Sequence, residues 1–304
     1  HRGMVGSAIH QELINNGYTN ILMKTKAELD LRDQKAVEDL FINERPEYVL
    51  LIAAKVGGIL ANDTYRADFI YDNLSIQINI IHAAHKHDVK KLLFMGSACI
   101  YPKFANQPIT EDQLLNGKLE YTNEPYAIAK IAGIKLCENY YKQYGSNFIS
   151  IMPNNLYGPN DNFDLKTSHV LPALIRKMHE AKINNIDRVE VWGTGNPLRE
   201  FLYVDDLAKA SLLVMQKLNG EVLYDKMDIS HINVGSGDEI SIKSLALLIK
   251  KIVGYQGALS FNREKDGTPR KLLDITRISN LGWTRKVTLK NGIETTYEWY
   301  KKFH

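Results

Sequence analysis

Short runs of apolar residues alternate with longer segments of helical periodicity through the first half of this 304-residue chain. The runs at residues 48–54, 91–95 and 148–152 contain β-branched and aromatic residues and are nearly continuous, as in strands covered on both faces. Helical patterns at residues 33–44, 68–88 and 126–144 separate them. This alternation predicts an α/β fold with a parallel sheet.

The first eight residues, His-Arg-Gly-Met-Val-Gly-Ser-Ala, predict the second half of a glycine turn and a helix to about residue 16. A dinucleotide-binding unit places a strand and one more glycine before such a turn. A doubly wound sheet without its first strand would leave backbone groups unpaired, so we expect roughly ten further residues upstream. Residues 19–23 predict a short strand after the helix.

Three cations lie where a dinucleotide cofactor would place its adenosine ribose. Lys24 and Lys26 follow the predicted strand at 19–23, and Arg2 lies in the glycine turn. An NAD site usually has an acidic residue near this strand end, whereas a cation accommodates the 2'-phosphate of NADP. The residues therefore favour NADP(H), and ordinary surface lysines on a loop are the alternative.

The regular alternation weakens beyond about residue 160. Helices are predicted at 169–181, after 199–206 as far as about 218, at 241–253 and at 289–302. Short strands are predicted at 190–193 and 231–235, and a loop rich in hydrogen-bond donors at 266–271. The second half therefore predicts a smaller unit of mixed structure.

Tyr126 and Lys130 lie four residues apart at the start of a predicted helix, where Pro125 suits the first turn. On one helix face, the ammonium of Lys130 would favour the phenolate of Tyr126 and lower the pKa of the phenol from about 10 toward neutrality. Such a tyrosine can donate and accept protons. A solvated helix face that carries this pair by chance is the alternative.

Polar side chains follow two of the predicted parallel strands. Ser97 and Cys99 come directly after residues 91–95, and a turn-rich segment at 153–159 follows residues 148–152. In a parallel sheet the residues beyond the carboxyl ends of the strands face the ligand crevice. Ser97 and Cys99 are therefore placed to meet a substrate. An ordinary buried thiol is the alternative for Cys99 and the expected state of Cys137.

The composition excludes several classes of function. The net charge of +3, without a block of five basic residues, gives no reason to expect nucleic acid. Two cysteines cannot form a disulfide framework, and the sequence has neither a signal peptide nor an apolar run of about 18 residues. We expect a reduced, cytoplasmic enzyme without a membrane partner. His82, His85 and His87 lack metal-ligand spacing, so no metal site is expected.

The order of these motifs is similar to that of a known family. Gly3-x-x-Gly6, Ser97, Tyr126-x-x-x-Lys130 and an Asn-Leu-Tyr-Gly-Pro turn at 155–159 resemble the extended short-chain dehydrogenase/reductases that act on nucleotide sugars. More narrowly, the stretches 96–102, 124–130, 168–170 and 266–271 resemble the GDP-L-fucose synthase family. The resemblance covers essentially the whole chain.

The resemblance implies a reductase triad of Ser97, Tyr126 and Lys130, and an epimerising acid/base pair of Cys99 and His169. It implies contacts with a GDP-sugar substrate at Lys177, Trp192, Arg199, Asp266 and Lys271. Lys177 stands where related enzymes can carry an arginine, and lysine cannot form the same bidentate fork. It also implies NADP(H) binding at Arg2, Gly3, Met4, Val5, Gly6, Lys24, Lys26, Ala53, Lys130, Pro153, Asn155, Leu156 and His169.

The resemblance further implies a Rossmann-type, doubly wound parallel sheet with a smaller, discontinuous C-terminal substrate domain. Residues 1–157 and 204–235 would form the NADP-binding domain without its first strand, and residues 158–203 and 236–304 the nucleotide-sugar domain. A homodimer would form through the helices near 68–88 and 126–144. The implied reaction is the NADPH-dependent 3,5-epimerisation and 4-reduction of GDP-4-keto-6-deoxy-D-mannose to GDP-L-fucose.

The residues are chemically suited to that reaction. Hydrogens on C3 and C5 lie beside the C4 carbonyl, so removing one gives an enolate, and a thiol and an imidazole are a plausible acid/base pair near neutral pH. Two alternative functions remain possible from the sequence. Another epimerase or dehydratase of this fold would retain NAD, and a dehydratase would carry an Asp-Glu pair where this chain has Ala98 and Cys99. A non-catalytic NADPH-binding regulator could share the fold.

Overall fold

The computed structural model describes residues 1–262 and 267–303. In chain order the helices are α1 (Met4–Asn15), α2 (Gln34–Glu44), α3 (Ile59–Thr64), α4 (Arg66–Lys86), α5 (Glu124–Tyr144), α6 (Val170–Ile183), α7 (Val204–Lys217), α8 (Ile242–Val253), α9 (Thr276–Asn280) and α10 (Leu289–Phe303). The strands are β1 (Tyr48–Leu51), β2 (Lys91–Met95), β3 (Phe148–Pro153), β4 (Asn155–Tyr157), β5 (Arg188–Val191), β6 (Leu198–Tyr203), β7 (Ile232–Val234), β8 (Glu239–Ser241), β9 (Ala258–Phe261) and β10 (Arg270–Lys271).

A parallel sheet in the order β1-β2-β3-β7 forms the centre of the molecule. Buried side chains of α2, α4 and α5 pack on one of its faces, and those of α1 and α7 pack on the other. Strands β2 and β3 are buried along their whole length because helices cover both sides. The predicted α/β, Rossmann-type, doubly wound fold is therefore confirmed.

The strand predicted at residues 19–23 is wrong. The structure shows irregular backbone there, and the side chains of Leu22 and Met23 are exposed. A strand requires a neighbour that completes its hydrogen-bond ladder, and within residues 1–262 and 267–303 no strand pairs with this segment. The apolar composition of this segment is therefore not enough by itself to form a strand.

The second half of the chain builds a separate core beside the central sheet. Strand β6 pairs in parallel with β4 and β10 and antiparallel with β8, while β5 pairs with β9. Side chains from α6, β5, α8 and α10 form one hydrophobic cluster around these strands. Residues 270–271, predicted as loop, form β10. None of the helices in the described part of the chain has the length and apolarity needed to cross a membrane.

Helix α5 lies unusually close to the central sheet. A Cβ on Gly133 would lie 2.3 Å from the ring of Phe94 in β2, so only glycine permits this approach. The helix ends at Gly145, which has a left-handed conformation with φ of 75°. The close approach places the first turns of α5 against the carboxyl end of β2, where Ser97 and Cys99 follow.

Candidate active site

Ser97, Cys99 and Tyr126 converge at the carboxyl end of β2. Ser97 has an extended backbone, and its Oγ accepts a hydrogen bond from the backbone N–H of Cys99 at 3.4 Å. The Ser97 hydroxyl is also a hydrogen-bond partner of the Tyr126 phenol. Tyr126 packs with Phe69 and Ala61, and Cys99 lies against this small cluster. The structure therefore brings these three predicted residues together.

The pKa of Tyr126 is shifted in the direction opposite to the predicted one. The side chain is only 9% exposed, and its burial raises the pKa above the usual value for tyrosine. The charge of Cys99 raises it further, while the Ser97 hydroxyl lowers it. Because loss of solvent disfavours the phenolate more than its neighbours stabilise it, the tyrosine is protonated at neutral pH. That form suits a proton donor.

Lys130 lies beneath the tyrosine in a nearly closed environment. Its side chain is 2% exposed, and its Nζ donates to the backbone carbonyl of Met95 at 2.8 Å. The Nζ lies 4.7 Å from the ring centroid of Phe94 and 5.8 Å from that of Tyr126. Burial lowers the pKa of Lys130 to about 7. The amine therefore lies at the middle of its titration near neutral pH.

Asn123, which sequence reasoning missed, contacts the predicted acid/base cysteine. Its Nδ2 donates to Cys99 Sγ at 3.4 Å, and Cys99 is a free, half-buried thiol. Cys137 is fully buried, and burial raises the pKa of its thiol to about 12. Cys137 is therefore a core residue, as predicted, whereas Cys99 is partly accessible to solvent.

His169 precedes α6 on a segment that is attached to α3. The backbone N–H of Gly58 donates to the carbonyl of Thr167 at 2.8 Å, and a Cβ on Gly58 would lie 2.6 Å from the carbonyl oxygen of Ser168. His169 as a whole residue is exposed to solvent, while neighbouring protein atoms partly desolvate its imidazole. That desolvation, followed by the charge of Lys271, lowers the pKa of His169, so the neutral ring predominates at pH 7.

The predicted cofactor residues near the start of the chain surround the amino end of α1. Gly3 precedes the helix, and within the described residues no side chain caps this end. Gly6 is required because a Cβ there would lie 2.6 Å from the Cα of His1. Met4 and Val5 form the first turn and are half-buried. Free helical N–H groups at such an end can bind a phosphate by donating hydrogen bonds to its oxygens.

The three predicted cations lie close to acidic residues. Glu28 interacts electrostatically with both Arg2 and Lys24. Lys24 Nζ lies 3.5 Å from Glu44, and Lys26 interacts with Asp30. Arg2 and Lys24 therefore share one neighbourhood, whereas Lys26 lies beside another acid.

The other predicted cofactor residues follow the strands of the central sheet. Ala53 is exposed just beyond β1, Pro153 ends β3, and Asn155 and Leu156 begin β4. Asn155 Nδ2 donates to the carbonyl of Glu200 at 2.8 Å. These residues lie along the same edge of the sheet as Ser97, because parallel strands end on one side.

The predicted substrate residues form two groups. Lys177 Nζ lies 4.6 Å from the ring centroid of Trp192, whose side chain is 59% exposed, and donates to the carbonyl of Glu190 at 3.2 Å. Arg199 in β6 pairs with Lys271 in β10. Gly267 lies near the Arg199 guanidinium. Asp266 lies outside the described residues.

Two buried polar clusters hold the strands and loops that carry these residues. Glu200 is fully buried and accepts from Asn154 Nδ2 at 2.5 Å and from the backbone N–H of Gly237 at 2.7 Å. The Tyr101 hydroxyl donates to Asn233 Oδ1 at 2.5 Å and lies 2.6 Å from His231 Nε2. The second cluster ties the segment after Cys99 to β7.

Comparison with known proteins agrees with this arrangement. Residues 1–235 match the NAD dependent epimerase/dehydratase family. The GDP-L-fucose synthase of Escherichia coli strain K12 is 57% identical over 303 residues, which cover 99% of this chain and 94% of that protein. GDP-L-fucose synthase 1 of Arabidopsis thaliana is also 57% identical, over 99% of this chain and 91% of that protein.

A solved structure gives the same result. The chain resembles a GDP-L-fucose synthetase from Naegleria fowleri bound to NADP, with a TM-score of 0.87 and 29% identity over 99% of this chain and 92% of that one. The sequence relatives, the matching fold and the order of the motifs agree with one another. The chain belongs to the NAD dependent epimerase/dehydratase family and, within it, to the GDP-L-fucose synthases.

Proposed function

We propose that this protein converts GDP-4-keto-6-deoxy-D-mannose to GDP-L-fucose, by epimerisation at C3 and C5 and reduction at C4 with NADPH. The observation that carries the proposal is the convergence of Ser97, Cys99 and Tyr126 at the carboxyl end of β2. One site thus holds hydroxyl donors for a carbonyl oxygen together with a thiol that can exchange a proton on a neighbouring carbon.

In the epimerisation, Cys99 and His169 are the acid/base pair. One of them removes the proton from C3 or C5, and the electron pair of the C–H bond moves into the C4 carbonyl to give an enolate. The other returns a proton to the opposite face of the same carbon. The lowered pKa of His169 keeps its imidazole neutral and able to accept a proton near pH 7.

In the reduction, Ser97 and Tyr126 donate hydrogen bonds to the C4 oxygen. The same donors stabilise the enolate in the first stage and the alkoxide in the second. Bound NADPH supplies hydride to C4. Tyr126 then gives its proton to the C4 oxygen, and its raised pKa keeps that proton available. Lys130 holds a buried amine 5.8 Å from the ring centroid of Tyr126, and we assign it to contact with the cofactor.

The described residues fit a dinucleotide phosphate. The uncapped end of α1 offers N–H groups to the pyrophosphate, and Gly3 leaves open space above it. Arg2 and Lys24, which both lie near Glu28, are the cations we assign to the 2'-phosphate. We assign the remaining cofactor contacts to the other residues predicted from the sequence to bind NADP(H): Met4, Val5, Gly6, Lys26, Ala53, Lys130, Pro153, Asn155, Leu156 and His169.

The GDP moiety is assigned to the second half of the chain. Trp192 presents an exposed aromatic face on which guanine can stack, with the ammonium of Lys177 beside it. Arg199 and Lys271 lie on paired strands and supply positive charge for the diphosphate. This division agrees with the proposed domains, residues 1–157 with 204–235 for the cofactor and residues 158–203 with 236–304 for the sugar nucleotide.

The proposed site also fits a reducing compartment. Cys99 is a free thiol, and its proton transfer requires that it stay reduced. Cytosolic thiols are kept in this state by the cellular reductants. We therefore propose a cytoplasmic location, and further that the enzyme is a homodimer.

The deciding experiment separates proton transfer from hydride transfer. With GDP-4-keto-6-deoxymannose in deuterium oxide, Cys99→Ser should slow solvent exchange at C3 and C5 about a hundredfold, because an alcohol is a much weaker acid than a thiol. Tyr126→Phe removes a donor to the C4 oxygen and should depress NADPH oxidation by a similar factor, with slower exchange as well.

Two controls make the result specific. Cys137→Ala removes the other thiol, which lies in the core, and should leave the exchange rate per folded molecule intact. NADH and other keto sugar nucleotides replace the cofactor and the substrate in turn. Exchange at the wild-type rate in Cys99→Ser would remove the cysteine from the epimerisation, and an absence of NADPH oxidation with this substrate would refute the proposed activity.

A further inference from the structure

Asn123 occupies the position where asparagine usually caps a helix, but it has no capping bond. It is the residue before α5, and within the described chain its side chain makes no hydrogen bond to the first turn. Pro125 removes the second helical N–H, which is one of the two from which a cap accepts. The asparagine is therefore not explained by the stability of its helix.

The side chain of Asn123 is instead directed at Cys99. Its Nδ2 lies 3.4 Å from the sulfur, and its Oδ1 is buried without a hydrogen-bond partner among the described residues. Buried polar atoms are nearly always paired in folded proteins, and exceptions concentrate at functional sites. The contact of the amide nitrogen with the sulfur and the unpaired amide oxygen thus both indicate a role beside Cys99.

The segment that carries Asn123 is held in place before any substrate arrives. Residues 121–123 form a single helical turn, and the guanidinium of Arg66 donates to the carbonyl of Tyr121 at 2.8 Å. Glu120 accepts from the backbone N–H of Thr122 at 2.9 Å. The Ser97 hydroxyl fixes the backbone of Cys99 from the other side. The sulfur therefore meets a preorganised donor.

We propose that Asn123 is a positioning residue for Cys99, and that its amide N–H holds the sulfur in place through the contact at 3.4 Å. The contact between Asn123 and Cys99 exists in the protein without substrate. Only the catalytic consequence of this inference therefore rests on the proposed function. A donor stabilises the charged sulfur more than the neutral thiol. The same contact would hold the sulfur where it exchanges a proton with the substrate.

The other neighbours of this sulfur are a titratable ring and apolar side chains. Tyr126 on α5 interacts with it electrostatically, and Ala54, Ala61 and Phe69 supply apolar neighbours. Glu124, next to Asn123, lies 3.7 Å from the guanidinium of Arg66, which offsets its charge. The amide of Asn123 is therefore the principal polar donor to Cys99 in the described part of the cleft.

The test is the pH dependence of Cys99 alkylation by iodoacetamide, followed by intact mass in the full chain without substrate. Asn123→Ala should slow alkylation at neutral pH roughly tenfold and move the profile to higher pH, as expected for the loss of one hydrogen bond to a charged sulfur. Asn123→Asp keeps the size of the side chain but places a carboxylate beside the sulfur, so its profile should move further in the same direction.

The control variant is Asn116→Ala. Asn116 is an exposed asparagine whose Nδ2 donates to the backbone carbonyl of Asp112 at 3.0 Å, and its loss should leave the profile unchanged. Cys99→Ser gives the background from Cys137. Wild-type profiles in both Asn123 variants would overturn the proposal, whatever the result of the exchange experiment. Shifted profiles support it, even if solvent exchange into the sugar proves independent of Cys99.

Discussion

At the scale of single residues, Lys130 combines two unusual properties. It is buried beside the proposed proton donor, and its burial lowers the pKa of the amine to about 7. In the unfolded chain the same amine titrates at about 10.4. Between these values the unfolded chain keeps a proton that the folded chain has released, so Lys130 makes stability increase with pH. Below about pH 7 its buried charge costs the most.

This linkage predicts how Lys130→Met behaves in the protein without cofactor. The variant should gain most relative to the wild type at about pH 6.5, and that gain should shrink toward about pH 9.5 as the wild-type lysine becomes neutral. Urea unfolding of both proteins at the two pH values measures the difference. Lys135→Met, on the same helix but with a side chain that reaches solvent, sets the background. A difference that does not change with pH would show that Lys130 keeps its proton.

At the scale of elements, the short helix α3 connects the two halves of the proposed site. Ala61 packs with Tyr126 and Phe69, while Gly58, just before the helix, contacts residues 167–168 through its backbone. The position of His169 relative to Cys99 therefore depends on a contact in which no side chain is tolerated. Glycine is required there by space, since the φ of Gly58 is an ordinary −67°.

Gly58→Ala should displace the segment before His169. The added Cβ would lie 2.6 Å from the Ser168 carbonyl oxygen, so the segment must move, at a cost of about 1–3 kcal/mol in stability. We expect solvent exchange into the substrate to fall more than NADP affinity. Gly17→Ala is the control, because it strains the backbone at φ of 83° without meeting any atom within 4 Å. Equal exchange in both variants would contradict the role given to α3.

Elements formed by interactions between residues that are close in sequence could be predicted, whereas features that depend on distant residues could not. Helices such as α4 and α5 and the strands β2 and β3 were predicted, because local periodicity marks a covered segment. The prediction of a strand at 19–23 was wrong because a strand needs a neighbouring strand to complete its hydrogen bonds. The direction of the Tyr126 pKa was wrong because burial is set by Phe69 and Ala61, distant in sequence. Asn123 was missed for the same reason, although an asparagine two residues before proline is a weak signal.

At the scale of the whole molecule, helices α4 and α5 pack side by side on one face of the central sheet. Helices α4 and α5 contact each other along their length. Their outer surface exposes Tyr71, Ile78 and Ile128 by 67%, 47% and 42%. Exposed apolar side chains on neighbouring helices fit a second copy of the same surface, which supports the proposed four-helix dimer interface.

The dimer is testable with one charge on this surface. Ile78→Glu should convert the protein to a monomer, because an interface cannot bury an unpaired carboxylate without a large cost. Light scattering during size-exclusion chromatography measures the mass. Ile183→Glu, which changes a still more exposed isoleucine at the end of α6, should keep the dimer. A monomeric wild type, or a dimeric Ile78→Glu, would show that these helices do not form the interface.

The buried contact between Tyr101 and β7 has a consequence for the synthesis of the protein. Tyr101 lies two residues after Cys99, but its partners Asn233 and His231 are 132 and 130 residues further along the chain. A ribosome therefore completes Ser97, Cys99 and Tyr126 long before it delivers the strand that holds their loop in place. Until translation has passed β7, the nascent chain carries the Cys99 thiol on a loop that lacks this buried contact.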